Sequence, residues 1–173
     1  HPVVMGPYDA FSRHETVHDT IKVLERYVDL IVLRTFAHSH IEEVAEYASV
    51  PVINALTDDY HPCQGLADLL TIRQHKGTLQ GLKLAYVGDG NNMAHTYLLA
   101  GAIAGLDVAI ATPVGYEPQE AAVAQAREIA SRYGTGSTFT VVSDAVEAVA
   151  GADVVVTDTW ASMGQEEEHA RRV

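Results

Sequence analysis

The stretch "LKLAYVGDGNNMAHTYLLAGAIAGLDVAIATPV", residues 82–114, contains the unit from which the fold can be read. Residues 82–89, "LKLAYVGD", predict a strand, residues 92–106, "NMAHTYLLAGAIAGL", a helix, and residues 107–114, "DVAIATPV", a second strand. Short continuous apolar strands on either side of a helix indicate a parallel sheet covered on both faces. The same alternation runs outward in both directions. Downstream lie a long helix at 118–134, a strand at 137–143, a short helix at 144–152 and a strand at 153–160. Upstream, "HPVVMG" (1–6) reads as a short strand and 14–28 as an amphipathic helix with Val17, Ile21, Val23, Leu24 and Val28 apolar. Then come "LIVLRTF" (30–36) as a buried strand, 40–48 as a helix and 50–56 as another strand. Turn signals such as "GDG" and "TPVGYEP" separate the elements.

One segment breaks this rhythm. In "DDYHPCQGLADLLTIRQHKG", residues 58–77, Leu66, Leu69, Leu70 and Ile72 predict one apolar stripe of a helix that stops at Gly77. Pro62 suits the first helical position, where its missing N–H costs nothing. His61 then falls at the N-cap and Gln64 in the first turn. Spacing alone leaves open whether His61 only caps the helix or uses its position for chemistry. This helix bridges two expected α/β lobes, so the predicted organisation is residues 1–60, a connecting helix at 61–78, and residues 79–173.

Ligands of open parallel sheets bind at the carboxyl ends of the strands. Arg34 ends one predicted strand, and His61 with Gln64 follows another. Asp89, Asn91 and Asn92 follow a third, while Asp158, Ser162 and Met163 follow a fourth. Taken singly these are common turn and cap residues. "GDG" lacks the full glycine spacing of a dinucleotide site. Composition bounds the possibilities further. The 173 residues are 47% hydrophobic and 20% charged, ordinary for a globular core. A formal net charge of −12 argues against nucleic acid and anionic membranes as partners, and obliges any phosphate ligand to find a local positive site. One cysteine forms no internal disulfide, and no Cys/His pattern suggests a metal. No apolar run reaches about 18 residues and no signal-peptide layout is present, so a cytoplasmic chain is expected.

Taken together, the motifs carry a resemblance. "HPCQGLADLLTI" resembles the His-Pro-x-Gln-x-Leu-x-Asp segment of the aspartate and ornithine carbamoyltransferases. "VGDGNNMAH" and "DTWASMGQEEE" resemble the ornithine branch, which carries Asp-x-x-x-Ser-Met-Gly where the aspartate branch has a basic motif. The similarity covers nearly all 173 residues and keeps the spacing between motifs. It implies two Rossmann-like parallel-sheet lobes, both incomplete, joined by the long helix.

The resemblance also implies roles. His61 would donate to the carbonyl oxygen of carbamoyl phosphate, Gln64 would accept from its NH2, and Arg34 would reach the same carbonyl and the phosphate. Asn92 and the backbone at Met163 would hold the α-carboxylate of L-ornithine, while Asp158 and Ser162 would hold its α-ammonium. Neither metal nor cofactor is implied, because carbamoyl phosphate is already activated. The expected reaction gives citrulline and phosphate in arginine metabolism, in a homotrimer or a multiple of trimers. The family's Ser-x-Arg-Thr and His-Cys-Leu-Pro motifs do not occur in these residues, so the chain by itself is expected to be inactive. Cys63 occupies the variable place of His-Pro-x-Gln and reads as a small hydrophobic helix residue. Ala10 stands where the family often has Gln or His, with Phe11-Ser12 in place of Leu-Gly. Two other readings stay open: a carbamoyltransferase for a different amine such as putrescine, and a non-catalytic metabolite-binding α/β module.

Overall fold

The computed structural model describes residues 1–6 and 15–159. It divides into two compact units, His1–Asp58 and Asp59–Val173. The first unit contains α1 (Val17–Leu24), β1 (Ile31–Arg34), α2 (His38–Tyr47) and β2 (Val52–Leu56). β1 and β2 pair in parallel from Ile31 opposite Val52 to Arg34 opposite Leu56, with a register shift between Leu33 and Arg34. Thr16 caps α1 by accepting from the Asp19 N–H at 3.1 Å. The end of α1 is tied to the end of α2, since Lys22 Nζ donates to the Tyr47 carbonyl at 2.7 Å. Ser49 donates through both N and Oγ to Glu25, holding that carboxyl below its ordinary pKa. Ile21, Ile41, Val44 and Leu56 supply the buried apolar side chains of this unit. Residues 1–6 form no strand and Val3 and Val4 stand exposed; among the described residues of this unit the sheet pairs β1 with β2. An apolar run becomes a strand only where a neighbour takes up its backbone groups.

The second unit holds α3 (Pro62–Lys76), β3 (Lys83–Val87), α4 (Asn92–Ala104), β4 (Asp107–Ala111), α5 (Glu120–Tyr133), β5 (Phe139–Val142), α6 (Ala145–Val149) and β6 (Val154–Thr157). Its strands form one parallel sheet in the order β5-β4-β3-β6. The chain steps outward from β3 to β5, then returns to the other side of β3. The order therefore reverses between β3 and β6, and such a reversal opens a crevice at the carboxyl ends of the two strands.

Side chains sort by face. Leu84, Tyr86, Val108 and Ile110 join the larger core with residues of α4 and α5, while Ala109 and Ala111 lie with Ala148 of α6 in a smaller one. Small residues let the short α6 approach the sheet. α4 is buried almost all round, as its lack of a polar face requires. α3 packs on α4 through Gly65, where an added Cβ would lie 2.5 Å from Thr96 Cγ2. The apolar face of α3 is thus Gly65, Leu69 and Ile72. Leu66 and Leu70 sit about 100° around the helix and are 67% and 56% exposed, so the expected four-residue stripe is only half used. No helix among the described residues is long and apolar enough to cross a membrane.

Candidate functional site

At the reversal point the ends of β3 and β6 bring three polar side chains together. Asp158 follows β6, Asn91 caps α4, and Tyr86 lies inside β3. Asn91 Oδ1 accepts from Met93 N at 3.0 Å, Ala94 N at 3.4 Å and the Tyr86 hydroxyl at 3.2 Å. Its Nδ2 donates to Asp158 Oδ2 at 3.1 Å. Tyr86 is fully buried, and burial first, then the charges of Asp158 and Asp89, push its pKa well up. The phenol thus keeps its proton and serves as a donor.

Gly90 lies in the segment that follows β3. Its N–H donates to the Tyr116 carbonyl at 2.7 Å, and a Cβ there would overlap the backbone of Glu117 and Pro118. The glycine of "GDG" therefore serves close backbone approach. The same loop is pinned by His95, whose Nδ1 lies 3.0 Å from the Asp59 carbonyl while Nε2 accepts from Gln119 N at 3.0 Å. A carbonyl only accepts and an N–H only donates, so the ring is neutral with its proton on Nδ1. Burial lowers its pKa, against the raising influence of Asp59.

His61 caps α3. Its Nδ1 accepts from Gln64 N at a long 3.4 Å, which puts the ring proton on Nε2 as a donor. The His61 N–H donates to Thr96 Oγ1 at 2.8 Å, and that hydroxyl donates to the Asn92 carbonyl at 2.6 Å. The starts of α3 and α4 are thereby joined through one threonine. Gln64 Nε2 donates to Asp68 Oδ1 at 3.0 Å, and Tyr97 donates its hydroxyl to Asp68 Oδ2 at 2.7 Å. Burial, followed by Asp68, drives the Tyr97 pKa up, so this hydroxyl too remains a donor. A carboxylate can only accept, which turns the Gln64 oxygen away from Asp68.

His61, Gln64, Asn92 and Asp158 all belong to the second unit; Arg34, exposed at the end of β1, belongs to the first. Ser162 and Met163 lie outside the described residues, as do Ala10, Phe11 and Ser12. Cys63 lies in the first turn of α3 and is exposed. Among the described residues no group of three or more His, Cys, Asp and Glu is placed to hold a metal ion. Sequence reasoning gave no role to Tyr86, Asp68, Tyr97 or His95, and placed Asn91 only among the strand-end residues. Only the pair Gln64 and Asp68 left a signal, since residues four apart share a helix face.

Comparison with known proteins yields two family models. One, described as "Aspartate/ornithine carbamoyltransferase, carbamoyl-P binding domain", matches residues 1–74. The other, "Aspartate/ornithine carbamoyltransferase, Asp/Orn binding domain", matches residues 80–173. The chain is 60% identical over 162 residues to an ornithine carbamoyltransferase of Anoxybacillus flavithermus, covering 94% of this chain and 51% of that protein. To the enzyme of that name from Methanocaldococcus jannaschii it is 49% identical, over 97% of this chain and 55% of the relative. Among solved structures, the ornithine carbamoyltransferase of Pyrococcus furiosus superposes with a TM-score of 0.85 at 52% identity, covering 92% of this chain and 51% of that one. The anabolic enzyme of Campylobacter jejuni superposes at 0.83 with 38% identity, over 93% and 53%. The chain thus spans about half the length of the curated relatives it matches.

Proposed function

Because the chain belongs to the aspartate/ornithine carbamoyltransferase family, we propose that the whole protein transfers the carbamoyl group of carbamoyl phosphate to the δ-amine of L-ornithine. The nitrogen attacks the carbamoyl carbon, the bond from that carbon to the phosphate oxygen breaks, and the nitrogen gives up a proton. Citrulline and phosphate result. As the amine attacks, negative charge grows on the carbamoyl oxygen, and the proposed donors to it are His61 Nε2–H and the Arg34 guanidinium. Gln64, its oxygen turned from Asp68, is proposed to accept from the carbamoyl NH2. On the same resemblance the protein needs no cofactor and assembles as a trimer or a multiple of trimers.

One observation carries the choice of acceptor: the Asp158 carboxylate stands at the sheet's reversal point beside the start of α4. An anion there suits the ammonium of an α-amino acid, with Asn92, Ser162 and the Met163 backbone proposed for the remaining contacts. Fixing both α-groups aims the δ-amine at the carbamoyl carbon. Putrescine lacks the carboxylate half of that pattern. Asp158→Asn keeps the shape and removes the charge. In the whole protein it is expected to raise the ornithine requirement at least about tenfold, the loss of one partner of a charge pair, and to leave carbamoyl phosphate affinity nearly unchanged. Equal losses for both ligands would show that Asp158 supports the fold instead of selecting the amine.

A further inference from the structure

We infer that Asn91 is a positioning residue that aims the Asp158 carboxylate at the acceptor's ammonium; this rests on the role proposed for Asp158. The side chain of Asn91 offers an acceptor on one end and donors on the other. Its acceptor end faces two helix N–H groups and the Tyr86 hydroxyl, all three donating. Rotating the amide by half a turn would set its NH2 against two helix N–H groups, which cannot accept. The orientation is therefore fixed from behind, and Nδ2 points away from the helix start. It points at Asp158 Oδ2.

Capping alone does not require this residue. Ser, Thr and Asp satisfy a helix start about as well as Asn does. Of the four, only Asn carries its acceptor and its donors on separate atoms; the hydroxyl of Ser or Thr donates, if at all, from the same oxygen that caps the helix. Asp would turn a carboxylate toward a carboxylate. With Oδ2 engaged, the carboxylate of Asp158 is held in one rotation and its Oδ1 is left to meet a ligand's N–H groups. The ordering is supplied before the ligand arrives, which lowers the cost of binding. α4 and β6 are thus coupled through an amide that bridges 67 residues of chain.

The test is a double-mutant cycle in the whole protein, with steady-state kinetics for both substrates on the parent, Asn91→Ser, Asp158→Asn and the double variant. Asn91→Ser keeps a capping oxygen and removes the amide NH2 that reaches Asp158. It is expected to raise the KM for ornithine at least about fivefold, as loss of a hydrogen bond to a charged group does, with the KM for carbamoyl phosphate within about twofold of the parent. The double variant is expected to be no worse than Asp158→Asn, because Asn91 acts through Asp158. Should the Ser variant fail to fold, Asn91→Thr offers the same cap without the amide NH2. A parental ornithine KM in the capped variant, or losses that simply add, would overturn the inference while leaving the role of Asp158 standing. An unchanged ornithine KM in Asp158→Asn would remove both.

Discussion

The amide of Gln64 can face two ways, and its neighbours decide between them. Tyr97, kept protonated by burial and by Asp68, occupies one carboxylate oxygen of Asp68; Gln64 Nε2 occupies the other. Asp68→Asn replaces a pure acceptor by a side chain that can also donate, so both orientations of Gln64 become acceptable. Roughly half of the molecules then present an amide NH2 where an acceptor is needed, besides losing a charge-assisted contact. The expected result is a fall of about tenfold in kcat/KM for carbamoyl phosphate with little change in the KM for ornithine. A parental value would mean that the pair only stiffens α3. The sequence made Gln64 visible through its motif but not the reason for its orientation. Asp68 lies one helical turn away and was within reach of periodicity; Tyr97 is 29 residues distant and joins them only when α4 packs on α3.

Individual elements meet at points of close approach, and these respond to small changes. Gly65 of α3 lies against Thr96 of α4, whose hydroxyl is held at once by the His61 N–H and the Asn92 carbonyl. Thr96 is not free to rotate away from an added methyl. Gly65→Ala should destabilise the protein by about 1–3 kcal/mol in chemical denaturation. In a Thr96→Ser background, which deletes Cγ2 and keeps Oγ1, most of that loss should disappear. An equal loss in both backgrounds would refute the contact. α4 also carries His95, which staples the loops at 59 and 119. Its pKa lies below the ordinary 6.5 because burial disfavours the charged ring. Its contribution is complete above about pH 6.5 and is lost as pH falls below that value toward the lower folded pKa, since the unfolded chain takes up the proton first. Thermal unfolding followed from pH 7.5 downward should show a steeper acid loss for the parent than for His95→Gln. Parallel curves would show that His95 does not titrate on unfolding. Element types were legible because buried parallel strands are written as apolar runs. Their ends were not: "STFTVVS" and "DVVVTDTW" each outlast the hydrogen-bonded segments Phe139–Val142 and Val154–Thr157.

For the molecule as a whole, alternation of strand and helix announces parallel sheets but not which strands are neighbours. β6 returns to the free side of β3, and that step alone brings Asp158 to Asn91. This is why sequence reasoning placed Asn91, Asn92 and Asp158 at separate strand ends without joining Asn91 to Asp158. The formal net charge of −12 obliges any phosphate ligand to find a local positive site. The central claim is that the protein joins carbamoyl phosphate to ornithine. Its most direct measurement offers the whole protein carbamoyl phosphate with L-ornithine, putrescine or L-aspartate in turn, and follows both phosphate release and the carbamoylated product. Ornithine should give citrulline with stoichiometric phosphate, and the other two amines should fall behind it by at least about a hundredfold in kcat/KM, the scale set by leaving a buried charged group unpaired. Carbamoylation of putrescine or aspartate at a rate matching ornithine, or no citrulline at all, would contradict the account.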